Sequence, residues 1–117
     1  MIFTSYFGNY KNFPEGVVVS ITQYPPRGWN GLELRSLAPS AELLQKFKNK
    51  EIDEQVFSWK YIELLNKDAN LRERVKDTLK YLEKTFGNVI LCCYEKSEDF
   101  CHRHLLAQWL DMGVVEL

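Results

Sequence analysis

Residues 89–110 read V-I-L-C-C-Y-E-K-S-E-D-F-C-H-R-H-L-L-A-Q-W-L, and this stretch decides the fold. The apolar run at 89–93 follows Gly87 and Asn88, a pattern typical of a strand buried on both faces. The final residues repeat apolar side chains at helical spacing, through Trp109. A strand that ends in a polar loop and continues as a helix places that loop at the carboxyl edge of an α/β sheet. Open sheets of this class bind ligands there, so we expect the functional site at this edge.

Composition restricts the class of protein. The chain has 117 residues and a net charge of −1, which predicts a single α/β domain over 1–117 and no strongly basic face for duplex nucleic acid. No apolar run approaches the roughly 20 residues of a membrane span, and the N-terminus lacks the pattern of a signal peptide. Three cysteines, two of them adjacent, suit no disulfide framework. We therefore expect a cytoplasmic protein without a membrane partner; a homo-oligomer stays open.

The rest of the chain alternates strands with helices. Strand patterns occur at 2–7, 17–21, 89–93 and 114–117, and three amphipathic helical patterns lie between strands 17–21 and 89–93. This order predicts a small Rossmann-like three-layer α/β domain, with a mostly parallel sheet of about four strands and helices on its faces. We expect strands 17–21 and 89–93 to lie parallel in one sheet.

Helix boundaries have local signals. Ser40 and Asp53 are expected N-caps, and Asn70 with Glu73 reads as a capping box. Gly87 stands where a helix-terminating glycine belongs. The last helix is expected from about 101 to 112, ended by Gly113. The sequence offers its possible N-caps within the preceding loop, namely Ser97 and Asp99.

Side-chain direction selects the candidate residues at the edge. Strand alternation places Cys93 and Glu95 on one side and Cys92, expected as a buried small hydrophobe, on the other. His102 precedes Leu105, Leu106 and Trp109 by three, four and seven positions, which predicts an inward side chain. His104 is expected to point outward. His102 should then lie close to Cys93 and Glu95, either as a structural partner of Glu95 or in contact with a ligand.

Positive charge and aromatic rings suggest what the ligand is. A helix start has unpaired N–H groups, and Arg103 beside it offers a planar fork for phosphate or carboxylate. Tyr24, Arg27 and Trp29 lie on a proline- and glycine-rich loop after strand 17–21 and could reach the same edge. The alternatives are that Arg103 binds a neighbouring acidic side chain and that Tyr24 and Trp29 cover the core.

A metal site has to be weighed against these interpretations. Cys93, Glu95, Cys101 and His102 are all competent zinc ligands. The chain has neither a C-x-x-C pair nor an H-x-x-x-H spacing, and Arg103 beside the group would oppose a cation. We therefore expect no metal and no other cofactor.

The same stretch resembles the domain-of-unknown-function family numbered 488, in particular its short bacterial and phage-type members. The residues that carry the resemblance are L-C-C-Y-E-K at 91–96 and F-C-H-R-H-L-L-A-Q-W-L at 100–110. The segment S-I-T-Q-Y-P-P-R-G-W at 20–29 is similar to the family's first-strand motif. Longer members have an aspartate and an arginine in that strand, where this chain has Thr22 and Gln23, so their role does not carry over.

The resemblance implies a compact Rossmann-like domain with both motifs at one edge, and it implies no assigned reaction. Similar short α/β proteins of phage and defence settings bind nucleotide-derived molecules, which supplies an analogy at the level of fold. The matched positions are Cys93, Glu95, Lys96, Cys101, His102 and Arg103.

The function expected from these observations is binding of a small anionic, nucleotide-like ligand. Its expected contacts are Arg103, His102, Cys101, Glu95, Lys96, Arg27, Tyr24 and Trp29. The alternative is a hydrolase or group-transfer enzyme on the same site, with Glu95 as general acid or base, His102 beside it and Cys93 or Cys101 as nucleophile. A third possibility is an interaction module whose aromatic loop docks on another protein.

Overall fold

A computed structural model describes residues 1–96 and 99–117, and in these residues it contains five strands and four α-helices. The elements in chain order are β1 (Ile2–Tyr6), β2 (Val17–Ser20), β3 (Leu32–Glu33), α1 (Ala41–Lys48), α2 (Glu54–Asn66), α3 (Leu71–Phe86), β4 (Val89–Cys93), α4 (His102–Leu110) and β5 (Val115–Glu116). Two short 3-10 helices lie at Phe7–Asn12 and Arg35–Leu37. No helix in the described ranges is both long and apolar enough to cross a membrane.

The strands form one sheet in the order β3-β2-β4-β1-β5, and every neighbouring pair is parallel. The predicted α/β class and Rossmann-like arrangement are therefore confirmed, with helices flanking the sheet. β2 and β4 lie parallel in one sheet, as predicted, and they are direct neighbours, with Val17 opposite Val89. The sequence analysis missed β3, because two exposed residues are too short to produce an alternating pattern.

β4 lies between β2 and β1, and all five of its residues are buried. The helices contribute large apolar side chains to the same core, among them Phe57, Leu79 and Leu106. Because the sheet is parallel, the carboxyl ends of β1, β2, β4 and β5 meet at one edge. Cys93 ends β4 at this edge.

Helix ends follow the predictions in part. Ser40 Oγ accepts the Leu43 N–H at 3.1 Å, and Asp53 Oδ1 accepts the Val56 N–H at 2.8 Å. Gly87 follows α3 with φ of 84°, which suits glycine. The capping box at Asn70 is wrong: its side chain caps nothing, and its N–H donates to Asp68 Oδ1 at 2.9 Å instead.

α4 is shorter than predicted. Cys101 occupies the N-cap position without a side-chain cap bond, so the helix begins at His102, and Asp99 as a cap is wrong. Ser97, the other predicted cap, lies outside the described residues. The helix ends at Leu110, because Asp111 adopts a left-handed conformation with φ of 49° before Gly113 is reached.

The two kinds of helix start make a matched test. Ser40→Ala removes an observed cap bond and should lower the free energy of unfolding by about 1 kcal/mol. Asn70→Ala removes no cap bond and should change it by less than about 0.5 kcal/mol. Urea denaturation of both variants measures the difference, and equal losses would contradict the assigned caps.

Candidate functional site

A pocket of about 330 Å³ opens at the carboxyl edge of the sheet. It is lined by the loops after β2 and β4, by α1 and by the start of α4. The lining residues are Thr22, Gln23, Tyr24, Pro39, Leu44, Lys48, Tyr94, Glu95 and His102. A larger but more open depression of about 600 Å³ lies along α2, around Trp59 and Asn66. We take the edge pocket as the candidate site, because it adjoins the residues with reactive side chains.

Hydrogen bonds between loops hold the walls of this pocket. Tyr94 donates its hydroxyl proton to the Tyr24 carbonyl at 2.6 Å, which ties the loop after β4 to the loop after β2. Gln23 Nε2 donates to the Pro39 carbonyl at 3.1 Å. The pocket is thus shaped by hydrogen bonds from side chains of one segment to backbone carbonyls of another.

His102 forms the floor of the pocket and is 6% exposed. Its Nε2 lies 2.8 Å from the Ile21 carbonyl oxygen, which can only accept, so Nε2 carries the proton. Burial lowers the pKa of His102 to about 4, so the ring is neutral at pH 7. The lone pair of Nδ1 is then left on the side of Cys101 Sγ, 3.7 Å away.

Two sulfur atoms lie within 4.8 Å of a ring nitrogen of this histidine. Cys93 and Cys101 are both buried, and their Sγ atoms are joined as a disulfide in this structure. Arg103 Nη1 donates to Cys93 Sγ at 2.9 Å. A cationic donor at this distance stabilises negative charge on the sulfur of the reduced cysteine.

Arg103 is fully buried and its donors are engaged within the protein. Nε and Nη2 donate to the Glu116 carboxylate on β5, at 3.1 Å to Oε1 and 2.9 Å to Oε2. Nη1 also donates to the Glu95 carbonyl at 2.6 Å. Of the two predicted alternatives for Arg103, the structure therefore supports binding to a neighbouring acidic side chain. The guanidinium group does not line the pocket.

The remaining residues of the C-terminal motif lie in different environments. Glu95 keeps its side chain exposed and lines the pocket, and the ring nitrogens of His102 face Ile21 and Cys101 instead of its carboxylate. The predicted pairing of His102 with Glu95 is thus not formed. Lys96 is exposed and lies outside the described lining of the pocket.

The three predicted contact residues of the loop after β2 also lie in different environments. Tyr24 is 72% exposed and lines the pocket, as expected of a ligand contact. Trp29 packs edge-on against Phe7 with centroids 5.4 Å apart and donates its indole N–H to the Leu32 carbonyl, so it covers the fold. Arg27 is exposed and is not among the described residues that line the pocket.

The side chains of Cys92 and His104 were predicted to point into the core and outward, respectively. Cys92 is fully buried, and burial raises the pKa of its thiol to about 12, which fits the expected small hydrophobe. His104 has 35% of its side chain exposed, and its Nδ1 lies 3.8 Å from Glu116 Oε1. The outward prediction is therefore right only in part.

Two residues at this edge, Lys48 and Glu116, were not among the predicted site residues. Lys48 lines the pocket from the end of α1, and no local signal distinguishes it from the other lysines of that helix. Glu116 ends β5 and binds Arg103. A charged residue at the end of the last parallel strand was a usable signal, since that end lies at the same sheet edge.

Donor atoms that suit a metal ion do converge here. The Sγ atoms of Cys93 and Cys101 and a ring nitrogen of His102 all lie within 4.8 Å of one another, and all three residues are buried. The sequence offered four competent ligands without any of the usual metal-binding spacings, and the tertiary structure brings three of them together.

The fold and the site define an α/β protein with a cysteine, histidine and arginine centre at the carboxyl edge of a parallel sheet. Residues 2–113 match the family DUF488-N3a, described as the active DUF488-N3 subclade. The chain therefore belongs to the DUF488 family, as its two motifs suggested. No curated protein and no solved structure matches it.

The ion pair between the fully buried Arg103 and the partly exposed Glu116 predicts large effects of substitution at Arg103. Arg103→Ala leaves the Glu116 carboxylate and the Glu95 carbonyl without this donor, and should destabilise the protein by roughly 3 kcal/mol. Arg103→Lys keeps the charge but cannot span both acceptors, so it should recover less than half of the loss. Urea denaturation without any ligand measures both, and a lysine variant as stable as wild type would contradict this role.

His102 predicts a specific pH dependence. Because its pKa falls from 6.5 in the unfolded chain to about 4 in the folded protein, the folded state binds fewer protons between these values. Stability should therefore be complete above pH 6.5 and decline as the pH falls to about 4, by on the order of 3 kcal/mol.

Urea denaturation at a series of pH values measures this dependence. A chelator is present, so that no metal ion binds the imidazole ring and only its protonation is measured. His102→Gln should remove this component of the pH dependence, whereas His104→Gln should retain it. An unchanged profile in His102→Gln would show that another group titrates in this range.

Proposed function

We propose that the edge pocket binds a small anionic, nucleotide-like ligand. The observation that carries the proposal is the composition of the pocket: Lys48, the exposed ring of Tyr24 and several hydrogen-bonding groups converge on one concave space. Its volume of about 330 Å³ lies at the lower end of the range for small-molecule sites, which favours a ligand of mononucleotide size.

The charges around the pocket support an anion contact at Lys48. The charge of Arg103 is compensated by Glu116 and buried, so it contributes little field to the pocket. Lys48 is exposed on the pocket wall and can follow a phosphate or carboxylate with its flexible ammonium group. Glu95 on the same wall would repel a second anionic group but can accept hydrogen bonds from a sugar or base.

Tyr24 supplies the apolar contact. Its ring is exposed while its carbonyl is held by the Tyr94 hydroxyl, so the ring projects from a fixed backbone. Stacking of a base on such a ring contributes about 1–3 kcal/mol and tolerates different bases. The expected anion contact is therefore Lys48 and not Arg103, and Tyr24 is the expected stacking residue.

Two substitutions with a matched control test this proposal by calorimetry with AMP, adenosine and inorganic phosphate. Lys48→Ala should weaken AMP about 10-fold and adenosine little, because only AMP has the charge. Tyr24→Ala should weaken both nucleotides at least about fivefold through lost stacking. Lys80→Ala changes an exposed lysine of α3 and should leave binding unchanged.

The outcome that contradicts the proposal is a wild-type protein that binds none of the three probes. Equal weakening by Lys48→Ala and Lys80→Ala would assign the effect to long-range charge. Titration at higher salt adds a check, since an exposed lysine–phosphate contact should weaken as salt is raised.

A second candidate function is an enzyme on the same site. The favouring observations are the Cys101 and His102 contact, the Arg103 donor at Cys93 Sγ, and the description of the matched subclade as active. In the reduced protein the thiolate of Cys93 or Cys101 would attack the substrate and displace its leaving group, which Glu95 at the pocket wall would protonate. Water would then hydrolyse the covalent intermediate and restore the thiol. Incubation with the bound nucleotide followed by chromatography separates the two functions. Loss of the ligand that is abolished by Glu95→Gln, with binding spared, would establish turnover.

A further inference from the structure

Cys93, Cys101 and His102 have the composition of a metal site once the two cysteines are reduced. We propose that Cys93, Cys101 and His102 of the reduced protein bind a thiophilic divalent cation of the zinc class. The cluster is separate from the proposed nucleotide contacts at Lys48 and Tyr24, so the two proposals stand or fall independently.

The separation of the His102 and Cys101 donors suits such an ion, and the two sulfurs, which are bonded in this structure, must move apart once they are reduced. All three donor atoms lie within 4.8 Å of one another, and His102 Nδ1 lies 3.7 Å from Cys101 Sγ. A tetrahedral zinc ion with bonds of about 2.3 Å to sulfur and about 2.0–2.1 Å to nitrogen places these two ligands about 3.6 Å apart. The observed separation therefore needs almost no adjustment.

The tautomer of His102 is also the one that a metal requires. Its Nε2–H donates to the Ile21 carbonyl, which leaves the Nδ1 lone pair for coordination. A metal-binding histidine commonly donates its other N–H to a backbone carbonyl, which fixes the ring. The Ile21 backbone is itself held, because its N–H donates to the Cys92 carbonyl at 3.0 Å.

The backbone span between the cysteines favours the ion over a covalent bond. The Cα atoms of Cys93 and Cys101 are 7.8 Å apart, beyond the usual disulfide range of about 4.4–6.8 Å. Two sulfurs bound to one tetrahedral zinc lie about 3.8 Å apart, so a metal bridge matches a wider backbone separation. Binding releases two protons as both thiols become thiolates and changes no oxidation state, whereas the disulfide excludes the ion.

Charge balance removes the objection that Arg103 would repel a cation. The Arg103 charge is matched by the Glu116 carboxylate, which accepts from Nε and Nη2. Two thiolates then carry two uncompensated negative charges in a buried place, and a dication neutralises them. Arg103 Nη1 at 2.9 Å from Cys93 Sγ serves as a donor to a coordinating sulfur.

Three protein ligands leave one coordination position, the number found in zinc sites that bind water or substrate. His102 also lines the pocket, which places the cluster next to the space for a ligand. The ion would therefore lie beside the pocket at His102, with one coordination position left for water or another exchangeable ligand.

Cobalt titration of the reduced protein, kept free of oxygen, tests the proposal. Wild type should bind one Co²⁺ per chain, with the visible bands of tetrahedral cobalt and a sulfur-to-cobalt charge-transfer band, and Zn²⁺ should displace it. Cys93→Ser, Cys101→Ser and His102→Gln should each weaken binding more than about 100-fold, since loss of an outer-sphere partner alone costs 10- to 100-fold.

Cys92→Ser is the matched control, because Cys92 is buried on the same strand but does not belong to the donor cluster. It should keep the cobalt spectrum. Zinc protection of the wild-type thiols from alkylation, counted by native mass spectrometry, needs no variant and covers the case of a substitution that fails to fold. A reduced wild type that binds neither ion, or equal loss in Cys92→Ser and Cys93→Ser, would overturn the proposal.

Discussion

The structure of the sheet edge depends on the burial of one guanidinium group. Arg103 has no exposed surface, and a charge in such a place is tolerated only when it is paired and hydrogen-bonded. Glu116 supplies the opposite charge, the Glu95 carbonyl and Cys93 Sγ accept from Nη1, and the Tyr6 ring lies 5.9 Å from the guanidinium carbon. The ends of β1, β4 and β5 are thereby joined through one side chain.

This constraint divides the site into a buried part and an open part. The buried part contains Cys93, Cys101 and the ion pair, while the open part is the pocket lined by Lys48 and Tyr24. His102 belongs to both, since it lines the pocket and faces Cys101. Its low pKa follows from burial first of all, and the Ile21 carbonyl opposes that shift without reversing it.

The fold was predictable because its signals are short-range. The apolar runs of β2 and β4 and the helical spacing around Leu106 are read within a few residues, and parallel pairing follows from the alternation of strands and helices. Failures occurred where a competing local partner existed or where an element was very short. Asp68 took the Asn70 N–H that a capping box would have used, and β3 has only two residues.

The candidate site was predictable only in its location and in the direction of His102. The sequence by itself determined a strand, a loop and a helix at the carboxyl edge, with His102 facing inward. Only the tertiary structure decided that Arg103 binds Glu116, that Cys93 and Cys101 meet, and that Lys48 reaches the pocket. The physical reason is that periodicity depends on neighbours along the chain. The partner of a buried charge depends instead on which strand lies beside it, and β5 joins the sheet next to β1.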